Sequence, residues 1–355
     1  MIFTIFGYPK TGKTLLFNLL TDKKEEISKF SAVTNKFHKA VVDVPDNRLK
    51  KLSDYFKTPP VFAKIEYLDT GKISFGEANE TTFIDLLRRA DGLVHIVRAF
   101  EDPEIVHPKG SIDALRDINR IEEELRTVDF LSIAKRIEKL EIDIKKIKSK
   151  ELEEEFKILK KLKNFLEKEK PLRELELNAK ESTIIKGFKF LSLKPLINVI
   201  NSDETFYKKY LKLEEVPKNN IATIISCEKI ESELLELEDD DRLLFQEEYG
   251  LKNYKYTRNN FIKTSYELLK LISFFTVGTD EVKAWTINKN SSAYIAAGKI
   301  HTDIQHGFIK AEVIKWNDFL DSGGFTQAKE KGLLKLEGKD YIVNDGEIVH
   351  FRFNK

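Results

Sequence analysis

The first 21 residues, MIFTIFGYPKTGKTLLFNLLT (1–21), decide how the rest of the chain is interpreted. Ile2 to Phe6 is a short β-branched and aromatic run, typical of a buried parallel strand. Thr14 to Leu20 places apolar residues at helical spacing. The loop between them, GYPKTGKT, matches the pattern G-x-x-x-x-G-K-[ST]. The order strand, loop, helix is the one that a phosphate-binding loop requires.

This loop has the residue types that nucleotide phosphates need. Glycine lets consecutive backbone N–H groups converge on an anion, and the following helix adds its positive N-terminus. We expect the Lys13 ammonium to reach the β- and γ-phosphates and the Thr14 hydroxyl to bind Mg²⁺. A chance match is the alternative, but the position at the first strand-to-helix junction favours nucleotide binding. The predicted nucleotide-binding residues here are Gly7, Tyr8, Pro9, Lys10, Thr11, Gly12, Lys13, Thr14 and Leu15.

Length and composition set limits on the remaining possibilities. A chain of 355 residues suggests two or three domains. Sixty basic residues against 59 acidic ones leave a net charge of +1, so the overall charge indicates no partner. The single cysteine, Cys227, excludes an internal disulfide framework and any multi-cysteine metal site. The N-terminal apolar run is too short for a membrane helix, and we expect a soluble cytoplasmic protein.

The pattern of apolar segments predicts an α/β fold. Four further runs read as buried strands, with helical patterns between them: Ala63 to Leu68, Gly92 to Val97, Pro195 to Ile200 and Ile221 to Ser226. Alternating strands and helices indicate a parallel, doubly wound sheet. The interval of nearly a hundred residues between the predicted strands Gly92 to Val97 and Pro195 to Ile200 indicates an insertion.

The insertion has a heptad-like seam. Its apolar residues alternate steps of three and four in two arms: Phe130, Ile133, Ile137, Leu140, Ile144 and Ile147, then Leu152, Phe156, Leu159, Leu162 and Leu166. We predict an antiparallel helical hairpin, with arms of ~20 residues and ~30 Å. Its lysine-rich outer face is either a contact surface or simply a solvated face.

The C-terminal part has a different character. It is rich in glycine, contains both tryptophans, and has short alternating segments at Val282 to Ile287 and Tyr341 to Val343. This composition predicts a separate small α+β domain. The predicted domains are therefore a nucleotide-binding domain of residues 1–127 and 182–275, a hairpin insertion of residues 128–181, and a C-terminal domain of residues 276–355.

Four stretches resemble the Obg-like ATPases of the YchF type, which are P-loop proteins of the translation-factor class. They are GYPKTGKTLLFNLLT, VVDVPDNRLKKL, GLVHIVRAFEDPEIVHPKGSIDALRDI, and a terminal block from EVKAWTI through GKIHTDIQHGFIKAEVI to LEGKDYIVNDGEIVHFRF. The resemblance covers essentially the whole chain. It implies a helical hairpin within the nucleotide domain, a β-grasp TGS domain at the end, and ATP hydrolysis linked to the ribosome.

The resemblance also implies a position for the base. The YchF-type proteins that this chain resembles carry N-x-x-E where other P-loop relatives have N-K-x-D. This difference implies a preference for ATP. Here Asn201 and Glu204 match that pattern in register after a predicted strand. The resemblance places Ser226 and Cys227 beside the base. Because Glu204 is still a carboxylate, a preference for GTP stays open, as does a plain acidic loop.

The switch segments depart from the family pattern. A P-loop hydrolase usually has D-x-x-G, with the Asp near Mg²⁺ and the Gly N–H on the γ-phosphate. This chain has DTGK, so Gly71 comes one position early. Ile73 is the nearest candidate for the family's hydrophobic residue in switch II. The resemblance assigns Mg²⁺ to Thr14, Thr34 and Asp69, and catalysis to Lys13 and Asp69.

Two functions therefore compete. The first is a slow, Mg²⁺-dependent ATPase that contacts ribosomal particles through the hairpin and the TGS-like domain. The second is a nucleotide-binding interaction module with little or no hydrolysis. We expect no membrane partner and no readout of DNA sequence.

Other polar residues have simpler explanations. His301 and Asp303 are too few for a metal site, so we expect a structural role. His95 lies within a predicted strand and is expected in the core. A mixed aromatic and basic surface in the C-terminal domain is predicted from Trp285, His306, Lys310, Trp316 and Arg352.

Overall fold

A computed structural model describes residues 1–21, 37–71, 75–76, 80–203, 215–218, 220–235, 237, 241, 244–245 and 257–354. Its contacts divide the chain into two compact units. The first unit is Met1–Ala40 with Glu66–Phe261, and the second is Val41–Ile65 with Ile262–Lys355. None of the helices in the described ranges is long and apolar enough to cross a lipid bilayer.

The strands form two sheets. They are β1 (Ile2–Phe6), β2 (His38–Asp43), β3 (Pro60–Val61), β4 (Lys64–Asp69), β5 (Gly92–Ala99), β6 (Leu196–Ser202), β7 (Glu215–Lys218), β8 (Ile221–Ser226), β9 (Leu271–Val277), β10 (Val282–Asn288), β11 (Phe308–Lys315), β12 (Lys335–Glu337) and β13 (Glu347–Phe353). The seven-stranded sheet has the order β2-β4-β1-β5-β6-β8-β7. Its central strands β4, β1, β5, β6 and β8 run parallel. The predicted α/β fold with a parallel sheet is confirmed.

Helices connect these strands. They are α1 (Lys13–Thr21), α2 (Asn47–Phe56), α3 (Glu80–Arg89), α4 (Ala114–Lys146), α5 (Lys150–Leu166), α6 (Ala179–Ile185), α7 (Glu228–Leu235), α8 (Thr257–Leu268), α9 (Ala293–Ile300), α10 (Thr302–His306), α11 (Trp316–Ser322) and α12 (Phe325–Glu330). Short 3₁₀ turns lie at Leu172–Glu174 and Lys186–Phe188. The predicted strands of the parallel sheet are all present, with ends that shift by at most two residues.

The helical insertion begins within the nucleotide domain. Helix α4 starts at Ala114 behind the N-cap Asp113, well before the expected start at residue 128. Its first half supplies Ile121 and Leu125 to the core beneath the sheet. Its second half supplies a seam that packs against α5, with Ile133, Ile137, Leu140, Leu159 and Leu162 buried. One continuous helix therefore contributes to both cores. The hairpin begins where the apolar residues of α4 stop packing under the sheet and start packing against α5.

The seam of the hairpin is shorter than the sequence predicts. Ile144 still packs at its edge, but Ile147 is 59% exposed. The chain leaves α4 after Lys146 and enters α5 at Lys150, with the Ser149 hydroxyl accepting the Leu152 N–H as an N-cap. Ile147 therefore belongs to the turn between the arms, where its side chain has no facing helix.

The second unit is a six-stranded sheet in the order β12-β11-β13-β9-β10-β3. The expected boundary at residue 276 cuts through β9, because Phe274 and Phe275 are buried strand residues. Residues 41–65 also belong to this unit, in which β3 pairs in parallel with β10. Both findings correct the expected boundaries. The amino-acid composition changes only after β9, whereas the unit already includes that strand.

Helix α2 packs within this second unit through Arg48 and through the rings of Tyr55 and Phe56, which contact Phe319. The Arg48 guanidinium bonds the carboxylates of Asp46 and Asp345 and lies 5.4 Å from the centre of the Phe275 ring. These contacts, made by a residue of the quoted VVDVPDNRLKKL stretch, explain why residues 41–65 cluster with the C-terminal sheet. The alternating segment at Tyr341 to Val343 makes an isolated bridge between Ile342 and Ser292.

Candidate nucleotide-binding site

The phosphate loop joins β1 to α1, and its backbone requires both glycines of the pattern. Gly7 has φ of 150° and Gly12 has φ of 108°, within the region that favours glycine. A Cβ on Gly7 would lie 2.3 Å from the Ile96 carbonyl oxygen of the neighbouring strand β5. The loop therefore passes so close to the sheet that no other residue fits at this position.

Lys13 lies inside the loop and not on its surface. Its side chain is buried, and its Nζ donates to the carbonyl oxygens of Gly7 at 3.0 Å and Tyr8 at 2.8 Å. The Thr11 hydroxyl also donates to the Tyr8 carbonyl, at 3.0 Å. These bonds hold the ammonium where the loop amides begin, which is the position that a phosphate-binding lysine needs.

Two oxygen ligands suited to Mg²⁺ meet at the start of α1. The Thr14 hydroxyl donates to Asp69 Oδ2 at 2.8 Å. Asp69 ends β4, pairs in register with Ile5 of β1, and is fully buried. A hydroxyl and a carboxylate are the hard oxygen ligands that Mg²⁺ prefers, and they leave room for water and phosphate oxygens. The residues present therefore fit this ion.

The segment after Asp69 shows what the early glycine does. The Gly71 N–H donates to Asp69 Oδ1 at 2.8 Å, and Gly71 has φ of 63°. The Thr70 N–H and hydroxyl both bond the Ile5 carbonyl oxygen. Here the glycine amide is directed back at the carboxylate that precedes it. Thr34 and Ile73, predicted for the two switches, lie outside the described residues.

Asn201 connects the end of β6 to the phosphate loop. Its Nδ2 donates to the Thr11 carbonyl oxygen and to Glu228 Oε2, both at 3.0 Å. Its Oδ1 accepts the Glu228 N–H at 3.3 Å. The structure thus brings Asn201 together with the loop residues. Glu204, the other residue of that pattern, lies outside the described residues.

The end of β8 lies in the core. The Ser226 hydroxyl donates to Glu231 Oε1 at 3.3 Å, and its carbonyl accepts the Ser202 hydroxyl at 3.1 Å. Cys227 is buried and packs with Ile230 and Leu234 of α7. The side chains of Ser226 and Cys227 therefore pack inside the first unit, next to the Asn201 end of the sheet.

Glu228 was missed by the sequence analysis. It is the first residue of α7 and is fully buried. Burial, together with the neighbouring charge of Glu231, raises the pKa of Glu228 well above its usual range. An acidic residue in the first turn of a helix is ordinarily exposed and stabilises the helix dipole, so the sequence alone gave no signal of burial.

The remaining candidates have the structural roles expected for them. His95 is fully buried, and its Nδ1 lies 3.3 Å from Asn198 Oδ1. The His301 ring accepts the Asp303 N–H as the N-cap of α10. Among the described residues there is no group of three His, Cys, Asp or Glu side chains that could hold a metal ion.

The comparisons with known proteins agree with this geometry. Residues 271–354 match the C-terminal model of YchF GTPases, described as a protein of unknown function (DUF933), and residues 2–171 match a model described as 50S ribosome-binding GTPase. A Bacillus subtilis protein named ribosome-binding ATPase YchF is 38% identical over 99% of this chain and 98% of its own length. The chain belongs to the YchF family.

Other YchF proteins extend the match. The Pasteurella multocida protein of the same name is 37% identical, again over 99% of this chain and 98% of its own length. The solved structure of the Schizosaccharomyces pombe YchF GTPase superposes with a TM-score of 0.82 and 28% identity, covering 99% of this chain and 97% of that one. The resemblance inferred from the quoted motifs is therefore confirmed, and so is the YchF fold.

Proposed function

We propose that this YchF-family chain is an ATP-binding P-loop switch that hydrolyses ATP slowly with Mg²⁺ and acts on ribosomal particles in the cytoplasm. One observation carries the proposal. The Lys13 ammonium, the Thr14–Asp69 pair and the Asn201–Thr11 bond lie around a single loop, and this arrangement supports a joint site for phosphates, metal and base. The names of the curated relatives, ribosome-binding ATPase, support the same activity.

The roles follow from the chemistry of each group. Lys13 and the loop amides bind the β- and γ-phosphates, because they combine a fixed positive charge with converging donors. Thr14 and Asp69 hold Mg²⁺, with Thr34 as a further ligand. The ion would neutralise the negative charge that develops on the phosphate oxygens during transfer. We assign catalysis to Lys13 and Asp69, because Lys13 would bring positive charge to the phosphates and Asp69 would hold the Mg²⁺.

The base is assigned to the loops after β6 and β8. We propose that Asn201 and Glu204 bind adenine, with Ser226 and Cys227 beside it. GTP is the second candidate, since both matching models and the yeast structure carry the name GTPase. Competition of ATP against GTP, in the wild type and in Glu204→Asp, decides between them. A ratio that favours GTP overturns the adenine assignment.

An interaction module without turnover is the alternative function. It is favoured by the Gly71 N–H, because this amide donates to Asp69 Oδ1 and is therefore not directed at a bound phosphate. A γ-phosphate sensor built on that amide would have to break this bond first. Nucleotide binding and turnover must therefore be measured separately.

We assign the ribosomal contacts to the hairpin and the C-terminal sheet. The turn of the hairpin carries four exposed lysines, Lys145, Lys146, Lys148 and Lys150. We interpret the six-stranded sheet as the TGS-like domain, with Lys310 and Arg352 exposed on neighbouring strands β11 and β13. Clustered basic side chains are what phosphate-rich ribosomal RNA attracts.

Phosphate release tests the proposed function. Nucleotide-free protein should bind ATP with Mg²⁺ in calorimetry and release phosphate above background, with and without ribosomes. In Lys13→Ala we expect release to fall by about 100-fold, since a principal positive charge at the phosphates is lost. Lys135→Ala, at an exposed lysine of α4, is the matched control for turnover without ribosomes. Tight ATP binding with no turnover, even with ribosomes, would establish the module instead.

A further inference from the structure

Glu228 makes a two-point contact with Asn201 that the proposed function does not use. Its carboxylate oxygen Oε2 accepts the Asn201 Nδ2 at 3.0 Å, and its backbone N–H donates to Asn201 Oδ1 at 3.3 Å. The amide of Asn201 is therefore held on both its oxygen and its nitrogen by one residue. A side-chain amide fixed in this way cannot rotate without losing two hydrogen bonds.

The same carboxyl group also lies directly against the phosphate loop. A Cβ on Gly12 would be 2.3 Å from Glu228 Oε2 and 2.4 Å from Asn201 Nδ2. The remaining N–H of that amide reaches the Thr11 carbonyl oxygen at 3.0 Å. Glu228 of α7 and Asn201 of β6 are thus in contact with each other and with the Thr11–Gly12 backbone of the loop.

Burial raises the free-energy cost of breaking the hydrogen bonds between Glu228 and Asn201. Glu228 and Asn201 are 0% and 4% exposed, so water cannot replace a hydrogen bond lost between them. A buried polar group that loses its partner costs more free energy than the bond itself contributes. Glu228 is consequently more than a packing residue of α7, because it sets the position of the residue that joins the base edge to the phosphate loop.

We propose that Glu228 is a positioning residue for nucleotide binding: its buried carboxyl group fixes the Asn201 amide against the phosphate loop and so shapes the edge of the site that receives the base. The inference rests on the proposed ATP-binding function. It assigns to α7 a role that the N-x-x-E pattern alone does not contain.

Variants that keep the volume of the side chain test this inference. Glu228→Met fills a similar space without an oxygen acceptor, whereas Glu228→Gln keeps an amide oxygen that can accept the Asn201 N–H. In calorimetry with Mg²⁺ we expect Glu228→Met to bind ATP about 10-fold more weakly and Glu228→Gln to stay within about threefold of the wild type. Glu233→Met, at an exposed glutamate on the same helix, is the matched control and should bind ATP as the wild type does.

Two further measurements separate positioning from general loosening. Inorganic tripolyphosphate has no base, so its affinity should change less than twofold in Glu228→Met; equal losses for ATP and tripolyphosphate would instead mean a disturbed phosphate loop and would overturn the proposal. In an Asn201→Ala background, Glu228→Met should add almost nothing, because the residue through which it acts is gone.

The remaining outcomes are equally decisive. Glu228→Met that binds ATP as tightly as the wild type, or Glu228→Gln that binds as weakly as Glu228→Met, removes the positioning role and leaves the proposed function standing. A wild-type protein that binds no ATP removes both.

Discussion

The phosphate loop and the segment after β4 follow neighbouring strands of the same sheet, but they are built differently. In the loop after β1 every residue of the P-loop pattern occupies the position that the pattern requires, and Gly7 touches the Ile96 carbonyl so closely that only glycine fits. After β4 the aspartate is in place, but the glycine comes early and its N–H donates to Asp69 itself.

This difference separates binding from turnover. The phosphate loop depends on backbone geometry, which a short pattern specifies completely. A γ-phosphate sensor after β4 would need an available amide, and here the Gly71 N–H already donates to Asp69 within the segment. We infer that nucleotide binding follows the family pattern, while the rate of hydrolysis depends on how this rebuilt segment rearranges.

Gly12→Ala should have the largest effect and would break the phosphate-loop side of the comparison. The new Cβ would lie 2.3 Å from Glu228 Oε2, and the φ of 108° is strained for alanine. We expect ATP affinity to fall by at least ~100-fold, with stability lower by roughly 1–3 kcal/mol. Calorimetry and chemical denaturation measure the two effects.

Gly338→Ala is the matched control for this change, because a Cβ there meets nothing within 4 Å. It should leave ATP binding intact. If Gly12→Ala binds ATP as the wild type does, the loop does not hold the phosphates and the comparison loses its first half.

Asp69→Asn tests the other side. Asparagine keeps one oxygen for the Thr14 hydroxyl or the Gly71 N–H but loses the charge that would hold Mg²⁺. We expect phosphate release to fall by about 100-fold and Mg²⁺-dependent ATP affinity by about 10-fold. ATP affinity measured without divalent ions should change little.

The control for this charge is Asp54→Asn, an exposed aspartate on α2, which should leave turnover unchanged. An equal loss of ATP affinity with and without Mg²⁺ would show that Asp69 acts on the loop and not on the ion. The two regions would then be coupled more tightly than their hydrogen bonds indicate.

The sequence predicted the parts of the molecule in which one local rule determines the structure. The P-loop, its flanking strand and helix, and the two-arm hairpin all follow from short-range patterns. The boundaries did not, because α4 changes partners between Leu125 and Ile133 without a break, and residues 41–65 join the C-terminal sheet through long-range contacts such as Arg48–Asp345. Glu228 was invisible for the same reason: its burial depends on Asn201 and Gly12, which are distant in sequence.

The core next to the phosphate loop gives the smallest effect, and it sharpens the comparison. Strand β5 pairs with β1, and the His95 ring of β5 stacks on Phe6, with centroids 5.3 Å apart. Burial lowers the pKa of His95 to about 3, so the folded protein keeps this ring neutral where an unfolded chain would protonate it near pH 6.5. Stability should therefore fall as the pH is lowered from about 6.5 towards 3.

His95→Gln removes this proton-binding site while keeping a polar group opposite Asn198. We expect the free energy of unfolding of the wild type to lose up to about 1.4 kcal/mol per pH unit more than that of the variant below pH 6. Denaturant titrations at pH 7, 6 and 5 measure this difference. At pH 7 ATP affinity and turnover should both stay within about twofold of the wild type, because the variant keeps a polar group at this buried position and leaves the residues of both regions unchanged. A variant that loses turnover but keeps ATP binding would show that His95 also acts on the segment after β4, and the two regions would then be linked through the core.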